Sequence, residues 1–157
     1  MGILNTIIAG LTLLATIFLG FIGYRLTKTY SKKSDRISND ALFHNLFRDF
    51  NLRYSALNAS LKKLEELSKN AEYTKDALKT NTVLYDEVID YLNLCAEEYY
   101  WFNQERISIA VWDAWFHGMN YWYKEIKVLR DVWEEEIKGD NYKSYYLKEN
   151  DNLFDKI

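Results

Sequence analysis

The chain contains no proline, where ordinary usage near 5% of 157 residues would supply about eight. Glycine is almost as scarce. There are six, and Gly2, Gly10, Gly20 and Gly23 crowd the first 23 residues, leaving Gly118 and Gly139 for everything after Tyr24. Sandwiches, barrels and doubly wound sheets need many tight turns, and disordered or collagen-like chains need the residues missing here. What remains is an all-α chain. Cys95 is the single cysteine, so no intrachain disulfide can form, which fits a reducing compartment. His44 and His117 are the only histidines. No glycine cluster precedes a lysine or a helix start, so no phosphate cradle is written in the chain and no cofactor is expected.

Charge is missing altogether from Ile3 to Tyr24, and twelve of the twenty residues from Ile3 to Ile22 are Ile, Leu or Phe. At 1.5 Å per residue this stretch reaches about 33 Å, the thickness of a bilayer core. Its apolar residues supply about −4 to −7 kcal/mol of insertion free energy, which Asn5, Thr6, Thr12 and Thr16 only partly offset. A cleaved signal peptide would need a positive n-region and a small-x-small cleavage site, and Gly20-Phe21-Ile22-Gly23-Tyr24 imitates one poorly. Met1-Gly2-Ile3-Leu4-Asn5-Thr6 fits the literal myristoylation pattern, but an acyl group adds little to a spanning chain. Thr12, Thr16 and Gly20 fall on one helix face, where a second span could approach closely.

Five basic residues follow at once: Arg25, Lys28, Lys32, Lys33 and Arg36, against Asp35 alone. By the positive-inside rule they set the orientation, with the lipid bilayer as partner, the short N-terminus outside and everything after the span in the cytoplasm. Residues 37–157 carry 15 positive and 22 negative charges, so the domain is acidic and a nucleic-acid partner is not expected. The expected organisation is an anchor over 1–24, a basic juxtamembrane linker over 25–39, a helical domain over 40–139 and a polar tail over 140–157.

Within the domain, Ser38, Asn39 and Asp40 offer a helix start. Phe43, Phe47, Phe50, Tyr54, Leu57, Leu61 and Leu64 then recur at 4, 3, 4, 3, 4 and 3, a heptad seam of the coiled-coil kind. The pattern loosens from Asn70 to Asn81, which reads as a loop. Thr80, Asn81 and Thr82 offer a second start, with Leu84, Val88, Tyr91, Cys95, Tyr99 and Phe102 along one face. After a short connection at Asn103 to Arg106, Trp112, Trp115, Met119, Trp122, Ile126, Leu129 and Trp133 repeat at heptad spacing, with Gly139 beyond as a C-cap. Three antiparallel helices on a membrane stalk are the simplest assembly, with Trp122 packed on the second helix near Val88, Tyr91 and Cys95.

Aromatics are the outstanding excess: twelve of the 43 residues from Tyr91 to Trp133. The periodic tryptophans, Trp112, Trp115, Trp122 and Trp133, read as core, each removing 150–250 Å² from water. Tyr100 and Trp101 lie off the main face of their helix and are the candidate partner surface. Asp113 with His117 is the best local metal pair, with Glu97, Glu98 and Glu105 as distant completions, too few convergent ligands for an expected metal site. Cys95 with His117 could be drawn as a nucleophile pair, yet Cys95 sits on an apolar face where thiols are inert. Glu134-Glu135-Glu136 reads as a solvated helix end whose charge opposes the helix dipole.

Tyr91-Leu92-Asn93, Glu97-Glu98, Ile107 after a turn, a tryptophan-rich helix with Trp122, and Arg130 resemble a family of small bacterial and phage membrane proteins. Its members have one N-terminal span and a helical cytosolic domain of unknown function. The resemblance implies the cytoplasmic membrane of a bacterium and supplies no catalytic residues. The expected function is therefore a non-enzymatic interaction module at the inner membrane surface, working through a protein partner or a homo-oligomer in a scaffolding, signalling, stress or phage-defence role. The alternative is a membrane-active effector whose spans assemble to perturb the bilayer, although an uncharged span makes a poor ion path.

Overall fold

The computed structural model describes residues 2–155. Met1 of the expected anchor and residues 156–157 of the expected tail lie outside the described residues. Five α-helices and two short 3₁₀ turns make up the regular structure, and no strand occurs among the described residues: α1 Gly2–Ser68, α2 Lys75–Thr80, α3 Thr82–Asn103, α4 Ile109–Glu125 and α5 Lys127–Glu136, then 3₁₀ turns at Asn141–Tyr145 and Leu153–Asp155.

The chain divides into two compact units, residues 1–42 and 43–157. In the first, α1 is helical through every described residue, as a stretch without proline allows. The helix start expected at Ser38 to Asp40 does not exist, because those residues are interior to α1 and the basic stretch 25–36 is itself helical. The Thr12 and Thr16 hydroxyls donate back to the Ile8 and Thr12 carbonyls at 2.8 and 2.9 Å. This internal bonding lets a threonine sit in an apolar stretch without an unmatched O–H.

In the second unit, the seam on α1 turns inward. Phe50, Leu61 and Leu64 are buried, with Tyr54 and Leu57 packed partly against the core. The expected loop at Asn70 to Asn81 holds the short helix α2, capped by the Thr74 hydroxyl accepting from Ala77 N–H and anchored by the buried Leu78. Asn81 then caps α3, its side-chain oxygen accepting from Leu84 N–H, and the face from Leu84 to Tyr99 is buried.

The α3 helix ends in a Schellman motif. Arg106 N–H reaches the Trp101 carbonyl and Glu105 N–H the Phe102 carbonyl, which puts Glu105 at φ 57°, the left-handed conformation usually given to glycine. Ser108 caps α4 and Ile107 is buried behind it.

The tryptophan helix is not continuous. At Ile126 the backbone turns extended (φ −106°, ψ 96°) and divides it into α4 and α5, although no glycine or proline marks the place. Arg130 supplies the reason: its guanidinium donates to the Tyr123 carbonyl at 2.9 Å and also to that of Lys124, satisfying the carbonyls that the break leaves open. Ile126, β-branched and fully buried, fills the corner with its side chain.

The tail departs from expectation too. Gly139 has φ 61° but stands two residues beyond the Ile137 C-cap of α5, in the following turn. Tyr145, Leu147, Leu153 and Phe154 are buried, so this segment completes the core and is no polar appendage. Phe154 stacks on Tyr123 with centroids 4.1 Å apart and meets Trp133 edge-on at 5.3 Å. Asn152 accepts the Trp133 indole N–H at 2.9 Å and the Phe154 backbone N–H at 3.1 Å.

Candidate functional site

Three groups of residues can meet something outside the chain. In the first unit, α1 carries a stretch long and apolar enough to cross a membrane, with a mean hydropathy of 2.2 and none of it buried. Among the basic residues that follow, the Arg25 guanidinium lies 5.5 Å from the Phe21 ring centroid and the Lys28 ammonium 5.9 Å from that of Tyr24. Lys32 lines the same shallow groove, and Lys33 and Arg36 are exposed on α1.

The candidate partner surface is half-closed. Tyr100 and Trp101 are both half-buried and meet edge-on at 5.3 Å, and Trp101 packs partly against the core. The exposed Tyr146, at φ 57°, packs tilted against Tyr100 with centroids 4.8 Å apart. These rings are thus partnered within the domain, by a residue from the tail.

The charged candidates separate. Asp113 and His117 are both exposed on α4. Cys95 is fully buried, and burial pushes its thiol well above the ordinary range, the opposite of an activated nucleophile. Glu97 takes a bidentate pair from Arg53 of α1 at 2.6 and 3.0 Å. The glutamate run is not simply solvated. Glu135 binds Lys75 at 2.6 Å and Lys79 at 3.0 Å, both from α2, which holds its carboxyl down at about 2. Glu136 accepts from the Tyr145 hydroxyl at 2.9 Å and the Tyr85 hydroxyl at 3.3 Å. Cations and hydroxyls from other elements thus answer the charge that opposed the helix dipole.

The third group was not expected. Between α1, α3 and α4 lies a cavity of about 130 Å³, walled by Phe50 and Tyr54, by Tyr91, Leu94 and Cys95, and by Trp115 and Met119. Glu98 lines it and is only 6% exposed. Burial raises its carboxyl to about 8; Arg53 acts against the rise and Glu97 adds to it. Tyr91 is 1% exposed, and its hydroxyl lies beside the Cys95 thiol with no nitrogen or oxygen partner. At neutral pH Glu98 is therefore mostly an uncharged acid, set with the Tyr91 hydroxyl in a largely apolar wall.

The spacing held a signal for this site. Tyr91, Cys95 and Glu98 follow one another at 4 and 3, so the buried face of α3 includes position 98. A carboxylate inside an apolar seam is informative, and weighing Glu98 only as a distant completion of a metal site passed over it. The Tyr54 hydroxyl, also on the wall, accepts the Trp122 indole N–H at 2.9 Å, so Trp122 is hydrogen-bonded to α1 as well as lying in the tryptophan seam. Comparison of the chain with family models, with curated proteins and with solved structures returns no match.

Proposed function

We propose that this protein is a non-enzymatic, single-pass membrane-anchored interaction module of a bacterial cytoplasmic membrane, with its N-terminus outside and its helical domain at the cytoplasmic face. The observation that carries the reading is the charge-free stretch Ile3 to Tyr24, wholly unburied in α1 and followed at once by Arg25, Lys28, Lys32, Lys33 and Arg36. An exposed apolar helix of this length has no stable place in water, and the basic flank fixes which end stays inside. The bacterial membrane is what the resemblance of residues 91–131 to small bacterial and phage membrane proteins implies.

Most of the domain's periodic aromatics close on its own core, so a partner would meet what remains outside, with Tyr100, Trp101 and Tyr146 as the candidate aromatic group. An antiparallel packing of α3 and α4 is supported by Tyr91 and Cys95 sharing one cavity with Met119 and Trp115.

Carbonate extraction of membranes tests the anchor. Wild type should stay in the pellet, whereas Leu11→Arg with Leu14→Arg, adding about 6–8 kcal/mol to insertion, should release it. Recovery of the intact wild-type chain in the soluble fraction would overturn the reading, as would digestion of the helical domain by protease added from outside. Growth arrest with depolarisation on overexpression, lost when residues 1–24 are deleted, would instead favour an effector that perturbs the bilayer.

A further inference from the structure

The cavity between α1, α3 and α4 has no counterpart in the anchoring role, and its lining is selective. Four aromatic rings, those of Phe50, Tyr54, Tyr91 and Trp115, surround one carboxyl. No lysine, arginine or histidine lines it. Arg53, the nearest guanidinium acting on Glu98, is held by Glu97 in a bidentate pair.

We propose that this cavity is a binding site for a compact primary ammonium ion with a small hydrocarbon body, its nitrogen on Glu98 and the Tyr91 hydroxyl and its body among the aromatic rings. Size comes from the volume. An apolar cavity of about 150 Å³ accommodates benzene, so about 130 Å³ takes a ligand of roughly six heavy atoms. Charge comes from the lining. An anion would meet a carboxyl and no cation, and a hydrocarbon would make no hydrogen bond to Glu98 or Tyr91. A protonated amine has three N–H donors, enough for the Glu98 carboxylate and the Tyr91 oxygen together, and its charge is favoured over aromatic faces.

Binding a cation requires Glu98 to ionise. The groups facing it are Arg53 and Tyr54 from α1 and Tyr91, Cys95 and Glu97 from α3; the α4 wall, Ala114, Trp115, Gly118 and Met119, brings none that titrates. Because the free carboxyl sits at about 8, each ligand bound at pH 7 should send about 0.9 proton from Glu98 to the buffer. This does not depend on whether α1 spans a bilayer.

The test is calorimetry on the full-length chain in mild detergent, titrated with cyclopentylammonium chloride in two buffers of different ionisation heat. Cyclopentanol, of the same size, serves as the neutral control, and cyclopentanecarboxylate, two heavy atoms larger, as the anionic one. The ammonium should bind saturably and at least tenfold more tightly than either control, with release of close to one proton. Glu98→Gln keeps the shape and neutral state of the protonated acid, so it should fold, bind the ammonium at least tenfold more weakly and release no proton. Tyr91→Phe should weaken binding severalfold. Absence of saturable binding up to on the order of 10 mM, where affinity falls below that of weak fragments, would overturn the proposal. So would equal binding of amine and alcohol, or binding by wild type without proton release, a result that needs no variant to fold.

Discussion

The Trp122 indole N–H donates to the Tyr54 hydroxyl at 2.9 Å, joining α4 to α1 across 68 residues of sequence. Trp122 is buried and Tyr54 partly so, which makes this one of the few directional links in a core held mostly by shape. Tyr54→Phe leaves the indole N–H buried without an acceptor, and the full chain should lose about 1–3 kcal/mol in urea denaturation. Trp122→Ala removes the ring as well and should cost about 3–5 kcal/mol. Combining Tyr54→Phe with Trp122→Phe should reveal a coupling of about 1 kcal/mol, and additive losses would mean that the bond contributes nothing.

Glu98 gives stability an unusual pH dependence. In the unfolded chain its carboxyl titrates near 4.3, whereas in the folded chain it holds its proton up to about 8. Between these values the folded state keeps a proton that the unfolded state has lost, so raising the pH favours unfolding. This contribution is fully present below about pH 4 and falls by about 1.4 kcal/mol per unit through the interval. Glu98→Gln removes it. Between pH 5.5 and 7.5 the wild type should lose about 2–3 kcal/mol relative to the variant in denaturant titrations, and parallel curves would contradict the burial argument.

Glu105 occupies the left-handed position of the α3 Schellman motif with its side chain exposed. A Cβ there costs about 1–2 kcal/mol, part of which glycine returns through its greater freedom when unfolded. Glu105→Gly should therefore raise stability by up to about 1 kcal/mol, read as a higher thermal midpoint. A lower midpoint would mean that the carboxylate makes a contact worth more than the strain.

Phe154 closes the core over Trp133 and Tyr123. Phe154→Ala should cost about 3–5 kcal/mol, and exposure of Trp133 should shift its fluorescence to the red. An unchanged midpoint would return this segment to the status of a tail.

Periodicity made much of the helical domain legible. The seam from Phe50 to Leu64, the α3 face from Leu84 to Tyr99 and the burial of Trp112, Trp122 and Trp133 follow from 3.6-residue spacing, and Asn81 announces its own cap. What escaped depends on groups distant in sequence. The break at Ile126 has no local marker, because Arg130, four residues later, stabilises it by bonding the α4 carbonyls. Glu135 reads as a solvated charge until Lys79, 56 residues away, is placed beside it. Tyr145, Leu147, Leu153 and Phe154 follow no helical period, so nothing in their order reveals that they are buried. The cavity depends on three helices meeting, and only the seam position of Glu98 hinted at it.

The burial of Leu153 and Phe154 has a consequence for biosynthesis. On the ribosome every α-helix of the domain emerges before the segment that covers Trp133, so the folding unit cannot close until Leu153 and Phe154 have followed. A nascent chain stopped anywhere before Leu153 presents an uncovered tryptophan face, the kind of surface that chaperones and proteases recognise. Concealment of that face thereby waits on elongation: only a chain that carries Leu153 and Phe154 hides the signal for its own removal.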